Sequence, residues 1–153
     1  MEQQKMKSAL YVEKGKLDYS ADLKEVPKPA SGEVLIKVEC AVINPSDLYM
    51  MQGNYNGEYE YPLTPGSEAS GIVIENGGGL RGWHLVGKRV AFVRKNDKPG
   101  KFKTGGAYAE YAITNSWQCI VLPDEVGFEQ GACACLNPMS AIGLLDRCQA
   151  LKA

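Results

Sequence analysis

A mainly β fold with short helices, arranged as a barrel or sandwich with a partly open, distorted sheet, is the class this sequence predicts. Three observations carry that expectation. The run "EVLIKVECAVIN" alternates with period two, placing Val34, Ile36, Val38, Cys40 and Val42 on one face of a strand. Turn chemistry recurs at Lys14-Gly15, Pro29 to Gly32, Gly77 to Gly79 and Pro99-Gly100, which cuts the chain into short elements. A sustained helical pattern is confined to the last third.

Each element follows in order. "KSALYVEKG" and "LDYSADLKEVPKP" read as two opening strands, and "GSEASGIVIEN" pairs in style with "EVLIKVECAVIN". "GKRVAFV", "GGAYAEYAIT" and "CIVLPD" add three more. Between them, "NPSDLYMMQG" reads as a helix of one to two turns. Asn44 caps it, Pro45 is its first residue, and Asp47 at the third position reaches back to the free amides. Leu48 and Met51 face inward, and Gly53 supplies the stop. "GFEQGACACL" reads as one short helix. "NPMSAIGLLDRCQALKA" reads as a longer one, with Asn137 as cap, Pro138 at the first helical position, and Ile142, Leu145 and Cys148 in an apolar stripe beside Leu144 and Leu151.

The 153 residues form one domain by expectation, long enough to bury roughly two thirds of the unfolded surface. A formal net charge of −1 offers no field for nucleic acid or an anionic membrane. No apolar run approaches the ~18 residues that span a bilayer. "MEQQKMKSAL" has neither an apolar signal core nor an arginine, which points to a cytoplasmic setting, with a mitochondrial one as the alternative. Five cysteines without a paired framework read as reduced, buried thiols, with Cys40 on the buried strand face.

Several motifs look chemical. "GGGLRG" matches a dinucleotide-binding spacing, but "WHLVGKRVAF" after it reads as a strand, so the glycines are expected to be a loop. "RKNDKPGKFKTGG" lacks the ending of a phosphate loop and reads as a solvated surface loop. His84, the single histidine, sits beside Trp83 in a turn, and no cysteine pair has zinc-ligand spacing. Glu68 reads as a buried structural acid that accepts backbone hydrogen bonds, with a catalytic role as the alternative. Local structure accounts for Asn44, Pro45, Asp47 and Gly53. It leaves Tyr49 and Tyr55 open, as surface residues or as phenols able to donate to a developing enolate.

"INPSDLYMMQGNY", "PLTPGSEASGIV", "LVGKRVAF", "GGAYAEYA" and "LNPMSAIGLL", in that order, resemble the N-terminal, GroES-like catalytic domain of the medium-chain dehydrogenase/reductase superfamily. The chain looks most like the zinc-independent branch of quinone oxidoreductases and 2-enoyl thioester reductases. The resemblance runs from about Lys7 to Lys152 and implies a GroES-like, partly open β-barrel over residues 1–153. It places Asn44 and Ser67 where zinc alcohol dehydrogenases have cysteine and histidine, so it implies no zinc. It implies NADPH as cofactor and a quinone, enone or enoyl thioester as small-molecule substrate. By the same resemblance Tyr55 helps to protonate the enolate, Asn44 and Tyr49 line the nicotinamide and substrate cleft, and the "NPMSA" turn places Asn137 and Ser140 against the nicotinamide.

In that family a Rossmann domain follows the final helix, and this chain stops at Ala153, before it. The expectation is therefore a catalytic part that is inactive alone and that docks to a Rossmann domain or self-associates. The alternative is a non-catalytic binding or scaffold module that kept the fold.

Overall fold

The computed structural model describes residues 4–13, 16–54, 58–95, 101–102 and 106–150, and of these only the backbone for 16–23, 58–59, 101–102 and 150. An antiparallel hairpin opens the chain, β1 (Lys5–Glu13) with β2 (Lys16–Glu25). Then follow β3 (Glu33–Ala41), α1 (Pro45–Met51), β4 (Glu58–Tyr59), β5 (Glu68–Asn76), α2 (Leu80–Leu85) and β6 (Arg89–Val93). After β7 (Lys101–Phe102) come β8 (Tyr111–Asn115), a 3-10 turn (Ser116–Gln118), β9 (Cys119–Val121), α3 (Phe128–Ala132) and α4 (Leu136–Ala150). The main sheet has five strands in the order β8-β3-β5-β6-β9, all neighbours antiparallel, while β4 and β7 form a small parallel pair. The sheets stay open, as the sequence suggests: β8 and β9 are edges of the main sheet.

The core lies where the alternation is strongest. Val34, Ile36, Ala69, Val73, Val90 and Phe92 are completely buried and pack together across β3, β5 and β6. Leu35, on the other face of β3, is buried too, so the first half of this strand is covered on both sides. A smaller cluster of Tyr11, Met51 and Leu63 ties the hairpin to α1, and another of Ala91, Leu122 and Cys135 carries the chain toward α4. Gly71 is the point of closest approach between β3 and β5. A Cβ there would lie 2.1 Å from the Lys37 carbonyl oxygen, so no larger residue fits without parting the strands.

Four expectations need correction. A helix, α2, occupies Leu80–Leu85 in place of the expected loop and strand, because Leu85 and Gly82 turn onto the sheet before β6 begins. His84 therefore lies in the last turn of a helix, and six residues make no cofactor-binding helix. Cys40 is half-buried: the alternation continues through Val38 and Cys40, but the inward face is only partly covered at this end of β3. In α1 the inward face is Asp47, Met50 and Met51, whereas Leu48 is 48% exposed. The "NPMSA" segment is helical from Leu136, so Asn137 and Pro138 lie inside the first turn of α4 rather than before it. The apolar stripe of α4 is uncovered, with Met139, Ile142, Leu144 and Leu145 all more than half exposed. Most of the basic loop around Asp97, and Tyr55, lie outside the described residues.

The five cysteines are free but not all buried. Cys133 and Cys148 are exposed, while burial pushes the Cys119 thiol up to about 12 and the Cys135 thiol up to about 11. A disulfide reagent added to native protein at mildly alkaline pH should titrate Cys133 and Cys148 at once, and Cys119 and Cys135 only on unfolding. Gly71→Ala should lower stability by about 2 kcal/mol or more in urea denaturation, through the clash with Lys37. An unchanged urea midpoint would contradict that reading of the β3–β5 contact.

Candidate functional site

Two buried carboxylates organise the end of the main sheet where β3 leaves and β5 begins. Asp47 is completely buried in α1 and accepts from the Asn44 backbone amide at 2.9 Å, the acidic half of the expected capping box. Ser67 Oγ donates to its other oxygen. The Tyr108 hydroxyl lies 3.0 Å from the Val42 carbonyl and 3.1 Å from Asp47 Oδ2, and shares its single proton between them. Burial first, and the Asp47 charge second, push the Tyr108 phenol far above its ordinary value, so it holds its proton and acts as a donor. The segments carrying Ser67 and Tyr108 meet at Gly66, where φ is +103° and a Cβ would lie 2.8 Å from the Ala107 and Tyr108 amides. Only glycine lets the two pass so closely.

Glu68, the first residue of β5, is the second buried carboxylate. Oε1 accepts from Asn44 Nδ2 at 3.0 Å. Oε2 accepts from the backbone amides of Cys135 at 3.2 Å and Leu136 at 2.8 Å. This explains why α4 begins before Asn137. The first amides of a helix have no partner of their own, and here a carboxylate from another strand serves as the cap. Glu68 is thus the buried acid that its sequence context suggests, and it accepts from a side chain as well as from the backbone.

The same carboxylate sets the direction of a short amide relay. An ionised carboxylate can only accept, so the Asn44 amide must turn its nitrogen toward Glu68 and its oxygen away. Asn137 Nδ2 then donates to Asn44 Oδ1 at 3.3 Å. Asn44 is 6% exposed, whereas Asn137 is exposed, so the relay runs from the interior to the surface. It ends in the Asn137 carbonyl oxygen and a remaining N–H, both available to a ligand. Ser140 lies one turn on and donates its proton to the Leu136 carbonyl at 2.8 Å, which leaves its oxygen as an acceptor.

Of the residues singled out in the sequence, Asn44 and Asn137 are in direct contact, and Ser140 follows Asn137 on α4. Tyr49 lies on α1, 57% exposed, beside a groove of about 250 Å³ that it shares with Pro45, Leu48 and Gln52. Tyr55 lies outside the described residues. Sequence reasoning missed Tyr108 and the partnership of Asp47 with Ser67. Tyr108 depends on the crossing at Gly66, which joins positions some forty residues apart in the chain, and the Asp47–Ser67 bond joins α1 to the approach to β5. Among the described residues no group of three His, Cys, Asp or Glu side chains is placed to hold a metal ion. The donors around Glu68 are an amide and backbone N–H groups, and the Ser67 hydroxyl points to Asp47.

Glu68→Gln keeps the shape but gives the site an NH2 group facing N–H donors. It should cost about 2–4 kcal/mol in chemical denaturation, since at least one buried donor loses its acceptor. It should also release the Asn44 side-chain amide, whose NMR signals should broaden or shift while signals from the core around Val34 and Phe92 stay in place. Retention of both stability and the Asn44 signals would show that Glu68 does not set this relay.

Comparison with known proteins bears on the fold. The family described as the alcohol dehydrogenase GroES-like domain matches residues 30–124, more than half of the chain. The quinone oxidoreductase of Lama guanicoe is 35% identical over 108 residues, which are 70% of this chain and 30% of that protein. A trans-enoyl reductase of Aspergillus flavipes is 30% identical over 123 residues, 80% of this chain and 36% of that enzyme. The solved structure of the mycobacterial protein Rv1454c complexed with NADPH superposes with a TM-score of 0.75 at 33% identity, covering 92% of this chain and 39% of that one. The chain spans about a third of the length of the curated relatives it matches. With its open β architecture, its matched segment and these relatives, the chain belongs to the alcohol dehydrogenase GroES-like domain family of the medium-chain dehydrogenase/reductase superfamily.

Proposed function

We propose that this chain is the N-terminal catalytic part of a zinc-independent, NADPH-dependent oxidoreductase that reduces a quinone, an enone or an enoyl thioester. The observation that carries the proposal is the amide relay from Glu68 through Asn44 to Asn137, which presents a fixed acceptor and donor at the protein surface. A nicotinamide carries a carboxamide, and an outward Asn137 amide with the Ser140 oxygen beside it is complementary to that group. Relatives named for quinone and trans-enoyl reduction, and a solved neighbour complexed with NADPH, support the same reading.

When bound, NADPH would supply a hydride to the carbon β to the substrate carbonyl. This chain's own residues would do the rest. Asn44 and Asn137 would orient the nicotinamide ring, with Ser140 accepting at its edge. Tyr49 and the groove at Pro45, Leu48 and Gln52 would hold the apolar body of the substrate and keep water from it. Tyr55 would donate a hydrogen bond or a proton to the enolate oxygen as charge develops there. Tyr108 is unsuited to that step, because Asp47 and burial hold its proton.

Met139, Ile142, Leu144 and Leu145 of α4 are exposed, as are Ile43 and Leu48, and we propose that a Rossmann domain docks on them. We propose that hydride transfer needs that domain and that these 153 residues alone do not turn over. We propose a cytoplasmic setting, with a mitochondrial one as the alternative.

Fluorescence titration of NADPH should show no micromolar binding to the 153-residue form and clear binding to a longer product that includes a Rossmann domain. In the longer form, Tyr55→Phe should lower kcat about 10²-fold with little change in NADPH affinity. Tight binding by the short form would refute the claim that it is inactive alone. No binding by the longer form would favour a non-catalytic scaffold, and an unchanged kcat would remove Tyr55 from the mechanism.

A further inference from the structure

A second cavity, of about 460 Å³, lies between the β1–β2 hairpin and the edge strand β8. It is lined by none of the residues of the amide relay, and its volume is in the range of small-molecule sites. Met6, Pro27, Ala109, Ala112 and Ile113 supply apolar lining. The charged groups are Lys24, Glu25, Glu33 and Lys95, with the Tyr111 phenol beside them.

These charges are not equivalent. Lys95 pairs with Glu33 at 2.7 Å, and the other Glu33 oxygen accepts from the Ala30 amide at 2.8 Å, so that carboxylate is committed on both sides. Glu25 lines the rim and is exposed. Lys24 is half-buried, and its ammonium is given a neutral partner, Thr64 Oγ1, at 3.3 Å. Burial pushes its pKa down, and among the described residues no carboxylate acts to restore it. A cation in apolar surroundings, short of an anion, is a site prepared for one.

We propose that this cavity binds a small organic carboxylate, its acid group on Lys24 and Thr64 and its apolar body against Met6, Ala112 and Ile113. The ligand is thus a monoanion with a compact hydrocarbon or aromatic part. Thr64 begins the segment that runs on to Ser67, and Gly106 N–H donates to the Thr64 carbonyl at 3.0 Å, so the cavity and the buried Asp47 network share one stretch of backbone.

Sodium benzoate, with benzyl alcohol as its neutral counterpart, tests this by titration into isotopically labelled protein. Benzoate should shift the backbone amides of Thr64, Ala109, Ala112 and Ile113 saturably, with a millimolar dissociation constant. Benzyl alcohol should bind at least about tenfold more weakly, as should benzoate to Lys24→Met, while Lys24→Arg should retain binding. The proposal is overturned if benzoate leaves these amides in place, if the alcohol binds as well as the acid, or if a folded Lys24→Met binds as the parent does. Should Lys24→Met not fold, the benzoate and benzyl alcohol comparison on the parent protein decides alone.

Discussion

The carboxylate of Glu68 is the constraint on which the candidate site rests. It is completely buried, and its partners come from three places: the cap of α1, the last residue before α4, and the first residue of α4. Burying a carboxylate costs several kcal/mol unless N–H donors replace its water. Here they do, and the replacement has a structural by-product. Elements far apart in sequence must converge on one point at the start of β5, and the amide at that point can face only one way. A hydrophobic residue at position 68 would fill the same volume without cap, convergence or polarity.

Asp47 repeats the device a short distance away. It takes the Asn44 amide from its own helix, the Ser67 hydroxyl from the residue before Glu68, and part of the Tyr108 proton. The two networks meet at Asn44, whose backbone serves Asp47 and whose side chain serves Glu68. That double attachment holds Asn44 more firmly than a helix of only seven residues could by itself. Fixed interior and open exterior therefore stand side by side. The polar groups are tied down by buried carboxylates, while Ile43, Leu48, Tyr49 and the stripe of α4 remain exposed.

Much of the framework was legible in the sequence because it rests on local rules. The period-two run of β3 gave an interior strand of the main sheet, and Asn44, Pro45 and Asp47 gave α1 its start and its capping acid. The buried acid at Glu68 was legible as well, as a carboxylate within a small, apolar strand. What local rules could not show was long-range. The start of α4 moved forward because its cap comes from β5 rather than from Asn137. On the inward face of α1, Met51 meets Tyr11 and Leu63 while Met50 meets the Arg94 guanidinium, all from other parts of the chain. Glycines followed by Leu80–Leu85 look like a loop until the sheet that Leu85 covers is in view. Tyr108 carried no signal, since a tyrosine between alanines acquires its role only when Gly66 lets two segments touch.

The amide relay is the part of this arrangement that bears on chemistry, because it transmits a buried charge to a surface hydrogen-bonding pattern. Hydrogen exchange measures it directly, through the backbone amides of Cys135 and Leu136 and the Asn44 side-chain NH2. If Glu68 holds all three, they exchange slowly and together, with protection close to that of the core amides of β3 and β5. Exchange of the Asn44 NH2, or of the Leu136 amide, at the rate of a free amide would contradict the account.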